Sequence, residues 1–349
     1  MHRLLDSWAP KTGTVTSTVP TCPHAPSISY AGLPQGLTNI LKLMDVLRSR
    51  DFPGPVRWQD DHDGAADIAL LGTSVRGSPV GPRELILPFR VHLAIPTPDL
   101  ESVKQAVSKR ERPRFSSSFD QEQWRARITT DEAEVRRFYC RMHLPTMAKR
   151  HADAARTEPL ALALHIARQG GLFLSESSSG PVAGCLFTLC GGVFTTRLLG
   201  VDEGADEHYD NGAFKNLYHL MLQHCARSSA IQAMDLFGTE AFISKGIFQW
   251  KRKLGAQVCP APNHFRHKFL RLKVHRDSPG VRQFLLHNPM LIDTPTGFAP
   301  VYFTTGEQGA ACEFSARMGG LNPPLHIPID EFLSSDGAVN QYAQRPRDT

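Results

Sequence analysis

In GLTNILKLMDVLRSR (36–50) the apolar residues Leu37, Ile40, Leu41, Met44 and Leu47 recur with the i, i+3, i+4, i+7 spacing of one helical face, so an amphipathic helix is expected there. DIALLGTSV (67–75) and ELILPFRVHLAI (84–95) are short apolar runs that read as strands. Together they make about the first 100 residues a small α/β unit. The stretch 98–115 is polar, basic and helically spaced up to Pro113, which no helix interior accepts without losing a hydrogen bond, and it reads as a connector. Residues 129–151 open a second α/β unit. Thr130 is the expected N-cap, two acids occupy the first turn, and Val135, Phe138, Tyr139 and Met142 share one face.

The order of elements in this second unit is readable. PLALALHIARQG (159–170) has the length and composition of a helix, and GLFLSES (171–177) and PVAGCLFTLC (181–190) are strands about the turn SSSG. VFTTRLLGVD (193–202) is a third strand, so an antiparallel meander is expected. An acidic loop then leads into a helix with Asn211 as the expected N-cap and Phe214, Leu217, Leu220 and Met221 as its buried stripe. AMDLFG (233–238) is the next strand, ISKGIFQWKRKLGA (243–256) the next helix, and HKFLRLKV (267–274) is expected to close the sheet. Residues 1–28 are rich in Thr, Ser and Pro and read as a loose leader, and 276–349 form a C-terminal extension.

Composition supports a globular chain: of 349 residues 41% are hydrophobic and 21% charged, enough for a sizeable core. No run approaches the ~18 uninterrupted apolar residues of a membrane helix. MHRLLDSWAPKTG carries no legible secretory signal, so cytoplasmic localisation is the expectation. Seven Cys without a C-x-x-C pair spell neither a disulfide framework nor a zinc ribbon, and they read as reduced. Asp60, Asp61, His62 and Asp63 are cation ligands by residue type, although a polar turn into Gly64 accounts for them more simply, and no metal is expected.

Net charge is only +5, but its distribution is uneven. Nine Lys or Arg and no Asp or Glu lie in 241–276, while 104–156 holds thirteen cations against seven acids. Solubility alone accommodates such runs, yet an acid-free window concentrates positive potential suited to a phosphate-bearing partner.

A meander, a strand ending in a loop that opens a helix, a buried strand, a short helix and a final strand together resemble the fold of the GNAT superfamily of N-acetyltransferases. Within it the chain resembles the Fem-type aminoacyl transferases and related acetyltransferase-like proteins, which carry two such units in tandem. The residues carrying this resemblance are Asp235, Phe237 and Gly238 at a strand end, then Gly246, Phe248, Trp250, Lys251, Leu254, Gly255 and Ala256, with Asn211-Gly212 before the long helix. The resemblance covers about 125–275 and implies tandem α/β units, with mixed sheets, divided as 1–28, 29–125, 126–275 and 276–349. It departs at the loop DEHYDNGA, which has one Gly and several acids where a pyrophosphate loop is Gly-rich. That departure favours a donor held elsewhere, such as acyl carrier protein or aminoacyl-tRNA, over ordinary acyl-CoA, with 251–253 supplying cations.

Acyl transfer to an amine needs a neutral amine, a polarised carbonyl and a stabilised leaving group. The resemblance implies a cleft where the third meander strand parts from the next. Arg197, Asp202, Asp235 and Glu240 qualify by position, Arg197 either for a substrate carboxylate or in an internal ion pair, and Asp235 more as a structural group. Lys251 is expected at the donor carbonyl or phosphates, against the alternative of a solvated lysine beside Arg252 and Lys253. Phe248 and Trp250 either anchor the helix or line the donor slot, and Asn211, Gly212 and Arg252 complete the expected donor contacts. Glu207, His208 and Glu240 are candidate bases, and Tyr209 or Tyr218 a candidate proton donor to the leaving group. The function implied is N-acyl transfer to a small amine, amino acid or peptide, with tRNA-dependent aminoacyl transfer and a catalytically silent anion-binding fold as alternatives. No permanently bound cofactor is expected.

Overall fold

The structure is a computed structural model that describes residues 13–17, 25–36, 39–40, 42–51, 56–59, 66–76, 81–120, 124–151, 157–306 and 313–334. The aspartate and histidine cluster at 60–63 lies outside the described residues. The chain is mixed α/β and divides into two units that alternate along the sequence. One comprises Met1–Val91, Gly238–Gln249 and Val258–Thr349, the other His92–Phe237 and Trp250–Gln257.

The second of these is built on the expected three-strand meander, extended by a fourth strand that was not expected, Arg125–Thr129. Strands Arg125–Thr129, Gly170–Ser177, Gly180–Cys190 and Val193–Val201 pair antiparallel in turn. Leu172, Leu174 and Leu186 point to one face, where they pack with Val135, Phe138, Ala163 and Ile166 of helices Glu132–Phe138 and Leu160–Arg168. Phe173, Phe187 and Phe194 form an aromatic layer that includes His224 of the helix Ala213–Arg227. The chain crosses by this helix before adding Ala233–Thr239 parallel to Val193–Val201, as a parallel pair requires. Strand Val91–Pro96 lies on the other side of Ala233–Thr239.

Both helix starts differ from the sequence expectation by one residue. Asp131, not Thr130, caps Glu132–Phe138, because its carboxylate accepts from Glu134 N at 2.9 Å and carries the negative charge that suits a helix N-terminus. Gly212 occupies the cap position of Ala213–Arg227 at φ 84°, a left-handed conformation open to Gly, while Asn211 Oδ1 accepts from Ala213 N at 3.1 Å. Pro113 falls at the start of the helix Arg112–Asp120, where its missing N–H costs nothing.

In the other unit a six-stranded sheet holds Phe269–Val274 antiparallel between Ile68–Thr73 and Glu84–Pro88. This corrects the expectation that 267–274 closes the meander sheet. An alternating strand pattern fixes which face is buried but not which strand lies alongside, and here Arg271 Nε donates to Glu84 Oε1 at 2.7 Å across the pairing. Within 1–28, read as a loose leader, Gly13–Ser17 is a strand paired antiparallel with Ile28–Gly32 and Val56–Gln59. The C-terminal extension is structured too. Helix Pro279–His287, capped by Ser278, precedes the hairpin of Met290–Thr294 and Gly297–Thr304, and Leu325–Pro328 pairs parallel to its second strand. Among the described residues no helix is long and apolar enough to cross a membrane, and no group of three or more His, Cys, Asp or Glu is placed to hold a metal.

Candidate active site

Strands Val193–Val201 and Ala233–Thr239 pair only from Val193↔Ala233 to Thr195↔Asp235, and beyond Asp235 the pairing ends. On its other side Val193–Val201 shifts register between Thr196 and Leu198, leaving Arg197 in a bulge. A bulge re-aims a side chain and bends a strand, so the parting of the two strands and the position of Arg197 have one cause.

At this point Asp235 meets a residue that the sequence reading did not single out. His92, on Val91–Pro96, places Nδ1 2.7 Å from Asp235 Oδ2, and the two residues are only 2% and 5% exposed. Asp235 Oδ1 accepts from Phe237 N at 2.8 Å, so both carboxylate oxygens are engaged. Phe237 is held at φ 68°, a sparsely populated conformation for a bulky residue. Its ring packs edge-on to His92 at 5.2 Å and lies beneath the Arg197 guanidinium, also at 5.2 Å. Lys251 Nζ donates to Phe237 O at 3.1 Å, and Thr196 Oγ1 donates to Asp235 O at 3.3 Å. A histidine, a carboxylate, a lysine and an arginine thus converge on one strained strand end.

Helix Gly246–Lys253 explains how Lys251 arrives there. Its three consecutive cations fall in the last turn, where they suit the carbonyl end of the helix dipole, and Gly255 at φ 87° ends it. Lys251 itself is only 4% exposed and is not part of a solvated face. Phe248 is fully buried and Trp250 half-buried, with Tyr218 edge-on at 6.3 Å and the Lys215 ammonium 5.5 Å above the indole.

The structure therefore brings Arg197, Asp235 and Lys251 together with His92. Glu207 is exposed on the short helix Asp206–Asp210, where His208 Nδ1 is buried without a hydrogen bond among the described residues. Two acids here are compensated. Asp206 accepts from Arg150 at 2.7 Å, and Asp202 is gripped by Arg141 at 2.7 and 3.1 Å. Arg150 also lies 3.7 Å from the Tyr209 ring centroid, while burial pushes the Tyr209 hydroxyl up. Tyr218 is buried in the core, which raises its hydroxyl strongly. Glu240 is paired with Lys245 inside the unit that holds both. Burial pushes its carboxyl up, but the Lys245 ammonium and the Arg90 guanidinium outweigh burial and hold it down at about 2. A carboxylate so stabilised is a weak base.

The acid-free window is not free of acids in space. Lys245 pairs with Glu240, Arg271 Nη2 lies 2.6 Å from Glu84, and Arg276 Nη1 lies 3.6 Å from Asp67. Among the described cysteines, burial drives the thiols of Cys185 and Cys225 up to about 12, so neither is a thiolate near neutral pH.

No family model and no curated protein matches the chain. Among solved structures it is similar to the crystal structure of FemX, with TM-score 0.40 and 10% identity over 72% of this chain and 82% of that one. L-PGS from Bacillus licheniformis gives TM-score 0.36 and 9% identity over 74% and 81%. A possible acetyltransferase from Clostridium difficile 630 gives 0.26 and 15% over 32% and 78%.

Proposed function

We propose that the chain is an N-acyltransferase that moves an acyl group from an activated donor directly to the amine of a small molecule, amino acid or peptide. The observation that carries this reading is the buried His92–Asp235 dyad at the point where the two parallel strands stop pairing. Asp235 accepts the Nδ1 proton of His92, which leaves Nε2 as the proton acceptor. The amine nitrogen attacks the donor carbonyl carbon and passes a proton to Nε2. The bond to the leaving group then breaks, and that proton follows the leaving group. The Lys251 ammonium favours negative charge developing on the carbonyl oxygen, as a cation in a water-poor site does. Arg197, which makes no ion pair among the described residues, is available to an anionic group of donor or acceptor.

Transfer is direct in this reading, and the buried Cys185 and Cys225 offer no thiolate to carry the acyl group. The donor is an acyl-CoA or an acylated carrier protein, and an aminoacyl-tRNA is the alternative. A mass-spectrometric screen of these three donor classes against a pool of amines tests the proposal. An amide product dependent on the protein supports it. No product from any donor leaves the reading without support, and an acyl adduct on the protein that chases into product replaces direct transfer with a covalent route.

A further inference from the structure

A cavity lies wholly within the unit comprising Met1–Val91, Gly238–Gln249 and Val258–Thr349, and the proposed transfer chemistry does not use it. Its volume is about 260 Å³, just under the ~300 to 1,000 Å³ of sites for drug-sized ligands, so it suits one ring with a small substituent. The walls are aromatic: Phe265, Phe269 and Phe298 line it. Phe265 is fixed by stacking on Phe89 at 5.8 Å and 10°, and the Arg90 guanidinium lies 5.4 Å from its centroid. Arg90 is itself anchored, donating to Gly238 O at 2.9 Å.

The charge at this cavity is positive. Arg266 and His267 line it from an exposed turn, and Arg266 makes no ion pair among the described residues. The acid in the lining, Asp293, is neutralised by Arg76 at 2.5 Å. The geometry points to a binding site for a small aryl anion, an aromatic ring carrying one carboxylate or phosphate. The ring packs among the phenylalanines, and the anionic group faces Arg266 and His267. Aromatic walls alone admit neutral rings, and an exposed guanidinium alone admits any anion. The combination selects ligands that have both.

The test is ligand-observed NMR titration of the full chain with benzoate, phenyl phosphate, benzyl alcohol and inorganic phosphate. Benzoate and phenyl phosphate are the two sources of the shared chemistry, and binding of either supports the proposal and shows which head group is preferred. Benzyl alcohol and inorganic phosphate should each bind about tenfold more weakly than the better aryl anion, since each lacks one half of the recognition. Arg266→Ala should weaken the aryl anion about tenfold, and Arg266→Lys should weaken it less, with the circular dichroism spectrum unchanged. Phe269→Ala should weaken the aryl anion and leave inorganic phosphate unaffected. Equal affinity for the neutral ring, equal affinity for inorganic phosphate, indifference to Arg266→Ala, or no binding of either aryl anion would each overturn the assignment.

Discussion

His92 Nδ1 and Asp235 Oδ2 lie 2.7 Å apart, both buried, on strands that are neighbours in one sheet although 143 positions separate them in the chain. Asp235→Asn tests what that contact does. The amide oxygen can still accept from Phe237 N, but its NH₂ then faces Nδ1 and forces the proton onto Nε2, which removes the base. Acyl transfer should fall by ~100-fold or more, the scale of general-base catalysis, with the thermal midpoint little changed. A rate within threefold of the parent would make the dyad a structural hydrogen bond.

Lys251→Ala should lower turnover by ~100 to 1,000-fold, as loss of charge stabilisation at a developing oxyanion does. It should also lower stability by ~1 to 3 kcal/mol, because it removes a charge-assisted hydrogen bond to the carbonyl of half-buried Phe237. Lys253→Ala should change neither appreciably. Steady-state kinetics and thermal melts on the two variants separate these outcomes, and equal small effects would assign Lys251 no special part.

The left-handed conformation of Phe237 makes a prediction about backbone strain. Phe237→Gly and Phe237→Ala both lose the ring beneath Arg197 and beside His92, but only Gly adopts φ 68° without cost. The Gly variant should be more stable than the Ala variant by about 1 kcal/mol, read by chemical denaturation. The opposite order would mean that the residue does not hold that conformation in solution.

Glu240 links stability to pH. Its folded value of about 2 lies below the ordinary 4.5, so its contribution is fully present above pH 4.5 and is lost as pH falls through the folded value. Denaturation free energies measured from pH 5 downward should decline less steeply in Glu240→Gln than in the parent chain. Identical slopes would remove the Lys245 and Arg90 account of this carboxylate.

Much of this architecture is legible in the sequence. The meander from Gly170 to Val201 announces itself by alternating apolar strands and a Ser-Gly turn, and the helix bearing Lys251 by a basic last turn closed by Gly255. The partner of each strand is not announced. Phe269–Val274 and Val91–Pro96 each join a sheet other than the one their sequence neighbours suggest, because apolar periodicity encodes a buried face and leaves the neighbour to tertiary packing. The dyad was hidden for the same reason. A signal did exist, since His92 in FRVHLAI and Asp235 in AMDLFG are each a titratable group inside an apolar strand, and two such groups are best buried against one another. The candidate bases expected from sequence were instead Glu207 and His208, in the loop where polarity is conspicuous, and Glu240, which the structure pairs with Lys245.

The most direct test of the account is single-turnover acyl transfer by the parent chain and by His92→Gln, compared side by side with a donor and amine that give product. Gln keeps a polar side chain against Asp235 but offers no basic nitrogen, so the expected result is a rate at least ~100-fold lower with the fold and donor affinity retained. Transfer at an undiminished rate by a folded His92→Gln protein would contradict the account.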